Sequence, residues 1–176
     1  MDDLDLVRRA RRGDDRAFVS LARAHERGMY ATAYAITQSQ WDAADAVQDT
    51  LAEAYAKLQT LRDDERFGAW LSRILVNKCR VCLRSQRKVI LTGDPPEPPQ
   101  AYTYLGSDDG IDLMTAVHSL DPEFREVVAL RYFRDMKVAD IATALGVPDG
   151  TVKSRINRAL GKLDVAMRPG MKEVRQ

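Results

Sequence analysis

Residues 138 to 163 read VADIATALGVPDGTVKSRINRALGKL, and the spacing within this stretch decides the fold. Its first half predicts a short helix, with Ile141, Ala142 and Leu145 directed inward and Gly146 ending it. Val147 fills the turn, and Asp149 is placed to cap the helix that follows. There Val152, Ile156, Ala159 or Leu160, and Leu163 form one apolar stripe at helical spacing. The other face displays Lys153, Ser154, Arg155, Asn157, Arg158 and Lys162. A small Ala142 lets two helices approach closely, and Gly146 relaxes the turn between them. This is the geometry of a helix-turn-helix, whose second helix offers its N-terminal half to the major groove. Arginine and lysine bond guanine edges or phosphates, asparagine pairs with adenine, and the hydroxyls of Thr151 and Ser154 suit phosphate. The competing reading is a basic amphipathic helix packed on its own bundle.

The surroundings are helical too. DPEFRE, at 121–126, sets Asp121 as an N-cap and Pro122 at the first helical position, where a missing N–H costs nothing. Phe124, Val127, Val128 and Leu130 or Arg131 carry that helix to Phe133. Further upstream, Phe18, Leu21, Ala22, Met29 and Ala33 recur at helical spacing. A second helix follows Trp41, with Ala44, Val47, Leu51, Tyr55 and Leu58 as its stripe. A third runs from Phe67 and carries Trp70, Leu71, Ile74, Leu75 and Val81. No segment alternates with period two, so the expectation is an all-α chain. Pro95, Pro96, Pro98 and Pro99 forbid a continuous helix or central strand. Residues 91–110 therefore read as an extended, flexible linker between an N-terminal domain at 1–90 and a C-terminal domain at 111–170.

The 176 residues carry a formal net charge of +1, which hides a strong segregation. From Asp42 to Glu65 there are seven acids against two bases, and from Phe67 to Lys88 six bases and no acid. Blocks of opposite sign suit two kinds of partner, although like-signed runs also serve as plain solvated faces. The apolar runs are too short to span a bilayer, and the acidic start does not resemble a signal sequence, so a cytoplasmic protein is expected.

Three enzyme-like or metal readings compete with binding. Asp42, Asp45 and Asp49 share one helix face, as carboxylates holding Mg²⁺ would in an all-α enzyme acting on phosphorylated substrates. Such a site needs further carboxylates on a facing helix and a cation for the leaving group, and no second matching motif is present. Cys79 and Cys82 form CRVC, a dithiol on paper. Zinc needs two more ligands, and His25 and His118 are distant in sequence, so small core residues fit better. Neither histidine belongs to a carboxylate–His–nucleophile arrangement. No catalytic residue, metal or cofactor is therefore expected.

Four motifs, in order, carry a family resemblance across nearly the whole chain. MYATAYAITQSQWDAADAVQDTLAEAYAKL (29–58) resembles regions 2.1–2.2 of extracytoplasmic-function (ECF) sigma factors, and FGAWLSRILVNKCRVCLRSQRK (67–88) resembles regions 2.3–2.4. LDPEFREVVALRYFRDMKVADIATALGV (120–147) is similar to region 4.1 and the start of 4.2, and GVPDGTVKSRINRALGKL (146–163) to the remainder. Departures are Asp121-Pro122 and Val138-Ala139, where the family more often has Leu-Pro and Tyr/Ser-Glu types.

The resemblance implies a sigma-2 bundle and a sigma-4 helix-turn-helix in a non-catalytic initiation factor. Its partners would be core RNA polymerase, through the clamp helices of the largest subunit and the flap, and promoter DNA. Kinship further implies an anti-sigma factor, often membrane-anchored, and a free protein that is monomeric. In DAADAVQDT the matched docking positions are Asp45, Gln48 and Asp49, with Asp42 and Glu53 as neighbours. Arg73, Asn77, Lys78, Arg80 and Arg84 would meet the −10 strand, with the loop from Arg62 to Arg66 supplying a flipped-base pocket. Phe67 and Trp70 fit core anchoring better than base stacking. Lys153, Ser154, Arg155, Asn157 and Arg158, with Thr151 and a helper in Arg131, would read the −35 element. The remaining alternative is a helix-turn-helix regulator that works independently of polymerase, in which the acidic helix has no purpose.

Overall fold

Acidic side chains at the start and arginines at the end favour a helix over Asp3–Arg11, α1, because each sign meets the helix pole it complements. The computed structural model describes residues 3–86 and 108–167. α1 is not among the helices expected from apolar spacing. It buries Leu6, Val7 and Ala10 and stops at Gly13. Asp14 then caps α2, Asp15–Thr37, by accepting from the Ala17 N–H at 3.2 Å, while Arg9 donates to its other oxygen at 2.7 Å. Ser39 caps α3, Gln40–Lys57, through the Asp42 N–H. Short 3₁₀ turns at Leu58–Thr60 and Asp64–Arg66 lead into α4, Phe67–Gln86.

The second half contains α5, Asp108–His118; α6, Pro122–Tyr132; α7, Val138–Leu145; and α8, Asp149–Met167. Among the described residues there is no strand, so the all-α expectation holds. α5 was not anticipated, and it opens at Asp108, inside the stretch read as linker. Residues 87–107, with the proline cluster, lie outside the described residues.

Several stripes are rotated from their expected faces. On α3 the buried residues are Ala43, Ala46, Val47, Thr50 and Ala54, whereas Ala44 and Leu51 are half-buried and Tyr55 is exposed. Tyr55 lays its ring edge-on against Phe18 and donates its hydroxyl to Asp15 at 2.8 Å, an amphipathic use of a surface position. On α4, Val81 is 57% exposed, while Ser72, Val76 and Cys79 are buried where neighbouring helices pack on it. α6 is buried almost all round, Arg125 and Glu126 included, because α8 packs on one side of it and α2 on the other.

The two bundles thus lie against one another. α2 meets α5 and α6, α4 meets α7, and the buried apolar side chains form one continuous cluster.

Candidate polymerase-docking and nucleic-acid surfaces

The helix-turn-helix is built as its spacing requires. Gly146 adopts φ +70°, a left-handed conformation that costs glycine little, and the N–H groups of Gly146 and Val147 both donate to the Ala142 carbonyl. Val152, Ala159 and Leu163 are buried and Ile156 partly so, while Leu160 faces out at 40% exposed. Asp149 is the first residue of α8 rather than its cap; the Pro148 carbonyl takes the first helical hydrogen bonds, from Thr151 and Val152. Asp121 occupies the cap position of α6, but its side chain makes no capping bond and accepts from Lys162 at 2.7 Å instead. Lys162 also lies 5.1 Å from the Phe124 ring centroid, which fastens α8 to α6.

Of the seven residues expected to face the −35 element, four stand exposed on α8: Lys153, Ser154, Asn157 and Arg158. Thr151 is half-buried, and its carbonyl accepts from the Ser154 hydroxyl at 3.4 Å. Arg155 is held by Glu123 of α6 at 2.9 Å, which aims its guanidinium rather than leaving it to sweep the surface. Arg131, half-buried, donates to the Met136 carbonyl at 2.8 Å and so closes the α6–α7 turn.

The acidic face of α3 keeps Asp45, Gln48 and Asp49 exposed, with Asp42 half-buried beside its Ser39 cap. Glu53 is separated from them in role. It accepts from Lys57 at 2.7 Å and from Lys78 of α4 at 2.8 Å, and these two hydrogen-bonded cations hold its carboxyl below the usual range. Lys78 is correspondingly raised by Glu53. Two residues assigned to different partners therefore bind each other across α3 and α4.

On α4, Arg73, Asn77 and Arg84 are exposed. Arg84 keeps its Nε on the Arg80 carbonyl at 3.1 Å. Arg80 reaches α6 and forms two 2.8 Å bonds to the Glu126 carboxylate. In the preceding loop Asp64 is claimed by Arg11 at 2.6 Å, and Asp63 caps the 3₁₀ turn, which leaves Arg62, Glu65 and Arg66 outward. Phe67 is buried and sits 6.0 Å from the half-buried Trp70, so both anchor the start of α4.

Burial pushes the Cys79 thiol far up, and burial followed by the nearby Asp42 raises Cys82, which disfavours the thiolate needed for metal or redox work. Among the described residues no three His, Cys, Asp or Glu side chains converge to hold a metal ion. No helix there is long and apolar enough to cross a membrane.

A sequence profile for Sigma-70 region 2 matches residues 21–89, and one for Sigma-70 region 4 matches residues 111–163. RNA polymerase sigma factor SigV of Bacillus subtilis is 31% identical over 141 residues, covering 77% of this chain and 82% of that protein. ECF RNA polymerase sigma factor SigM of Mycobacterium tuberculosis is 32% identical over 166 residues, covering 92% of this chain and 82% of its own. Among solved structures, CnrH in complex with the cytosolic domain of CnrY matches with a TM-score of 0.71 and 29% identity, over 93% of this chain and 95% of that one. The sigma factor RpoE in complex with the anti-sigma factor NepR, from Bartonella quintana, matches with a TM-score of 0.65 and 29% identity, over 79% and 89% respectively. The chain belongs to the sigma-70 family of RNA polymerase sigma factors, in its extracytoplasmic-function class.

Proposed function

We propose that this chain is an alternative sigma factor in which α3 docks on core RNA polymerase, α4 engages the −10 strand and α8 reads the −35 element. One observation carries the reading. The same chain leaves an acidic face (Asp45, Gln48, Asp49) and a polar, basic face (Lys153, Ser154, Asn157, Arg158) outside the core, on helices whose other sides are buried. Opposite charge steers a basic polymerase surface onto α3 and fixes its orientation, while cations and an amide on α8 suit phosphates and base edges.

Within that reading the duties divide further. Arg155, aimed by Glu123, contributes a directed contact, and Asn157 and Arg158 discriminate bases. Arg73, Asn77 and Arg84 follow the non-template strand, with Arg62 and Arg66 at the edge of the base-capturing loop. Arg131 acts indirectly, by holding the turn that sets α7 against α8. The protein has no chemistry of its own, and its effect on transcription is exerted through the polymerase. An anti-sigma factor is a natural regulator, since CnrH is described with CnrY and RpoE with NepR.

The test is binding of the full chain to purified bacterial core RNA polymerase. Asp45→Asn with Asp49→Asn removes the charge without disturbing α3, because both side chains are exposed. The expected result is a large loss of core affinity with unchanged helicity. Unchanged affinity rejects the docking face.

A further inference from the structure

A cavity of about 550 Å³ opens between the middle of α2 and the turn that follows α6. Small-molecule sites run from about 300 to 1,000 Å³, so the volume suits a compact organic ligand. None of its lining residues is assigned above to polymerase or to DNA. Three aromatic residues contribute to it: Tyr30, which is buried, Phe133, half-buried, and Tyr132, 55% exposed.

Arg134 supplies the charge. It is half-buried, and its Nε donates to the Ser72 hydroxyl at 3.3 Å and its Nη1 to the His25 carbonyl at 3.2 Å. Both acceptors are neutral, and the two bonds leave Nη2 unused. Among the described residues no carboxylate is hydrogen-bonded to this guanidinium. Asp3 is near enough for its charge to be felt, but its carboxylate is bonded to the His25 ring at 2.9 Å. Burial outweighs Asp3 and pulls Arg134 down to about 10. A cation withdrawn from water without a charged partner is costly, and an anion brought within reach offsets that cost.

The walls are formed in advance. The Met136 N–H donates to the Leu130 carbonyl at 3.2 Å, and Arg131 bonds the Met136 carbonyl, so the turn after α6 is fastened on both sides of Asp135. Asp135 itself is held at φ +50°. On α2, Gly28 lets this turn approach: a Cβ there would stand 2.7 Å from the Phe133 carbonyl oxygen and 3.4 Å from the Arg134 side chain. A site that exists before its ligand arrives loses little affinity to ordering.

Charge narrows the ligand class. Arg27, exposed at the cavity, adds a second cation, whereas Asp135 on the same cavity opposes a second negative charge. A flat apolar body with one negative charge therefore fits better than a phosphate monoester, which carries about −1.5 to −2. We propose that the cavity between α2 and the α6–α7 turn is a binding site for a small aromatic carboxylate, with the carboxylate on Arg134 and the ring against Tyr132 and Phe133. The carboxylate gains charge-assisted hydrogen bonds, and the ring gains aromatic contact. The site is independent of the promoter reading, because it shares no residue with it.

The test is titration of the full chain with cinnamate, followed by calorimetry and by the amide resonances of Gly28 and Phe133. Saturable binding is expected, with both amides shifting along the same isotherm. The neutral analogue cinnamamide should bind at least about ten-fold more weakly, because it lacks the charge. Arg134→Gln is expected to abolish that preference for the acid over the amide. Tyr132→Ala, at an exposed position, should leave the fold intact and weaken cinnamate about three-fold or more. If Arg134→Gln fails to fold, Tyr132→Ala and the comparison with cinnamamide decide the matter. Absence of saturable binding, equal affinity for acid and amide, or indifference to Tyr132→Ala overturns the site. Displacement of cinnamate by an equal concentration of inorganic phosphate overturns the ligand class.

Discussion

Arg158 and Arg84 carry the same charge on different helices but face different parts of the DNA in the proposed reading. Arg158 projects from the exposed side of the recognition helix, so Arg158→Ala should cost about 1–3 kcal/mol in a manner that depends on −35 sequence. Arg84, exposed near the end of α4, should act on phosphate. Arg84→Ala is expected to weaken promoters evenly and reduce the salt slope by about one. Binding measured across a promoter library at several salt concentrations separates the two. Equal, sequence-blind losses contradict the division. The histidines supply a second residue-scale prediction. Burial, reinforced by Arg134 at His25 and by Arg125 at His118, holds both below their ordinary value near 6.5. The unfolded chain therefore takes up protons first as pH falls below about 6.5. Stability is fully present above that pH and declines as pH falls through the depressed folded values. Thermal melting should shift downward between about pH 7 and pH 5.5, and a flat profile contradicts the burial argument.

At the scale of elements, α7, the turn and α8 were legible because their determinants are local. Ile141, Gly146, Val152 and Leu163 lie within one short stretch and answer to helical period and turn chemistry alone. Ile141→Ala, at a fully buried position, should destabilise the chain by about 2–5 kcal/mol and abolish −35 binding, as denaturant unfolding and promoter binding would show. Gly146→Val forces a β-branched residue into the left-handed region and should cost at least about 1–2 kcal/mol. The faces of α3 and α4 were less legible. Alanine, threonine, serine and cysteine fill their seams, and these types do not announce burial as leucine does. Ser72 and Thr50 are fully buried while Tyr55 and Val81 are outside, because close helix packing selects for small side chains at the contact. α1 gave little periodic signal because only three of its nine residues, Leu6, Val7 and Ala10, are buried, and Arg11 secures it to Asp64 from 53 residues away.

For the whole molecule, composition and motif order led to the right family, but not to the way the halves meet. Arg80 and Glu126 are 46 residues apart and Arg134 and His25 are 109 apart, and no local pattern links either pair. Glu126 reads as a helix-surface acid until α4 covers it. The acidic block was likewise visible as a block, while the diversion of Glu53 to Lys57 and Lys78 needed two helices in register. On the proposed reading, this chain confers promoter selection on a polymerase. Run-off transcription with purified bacterial core RNA polymerase on a promoter library tests it most directly. Start sites should appear only when the chain is added and disappear with Asp45→Asn and Asp49→Asn together. A chain that neither binds core enzyme nor creates a new start site contradicts it.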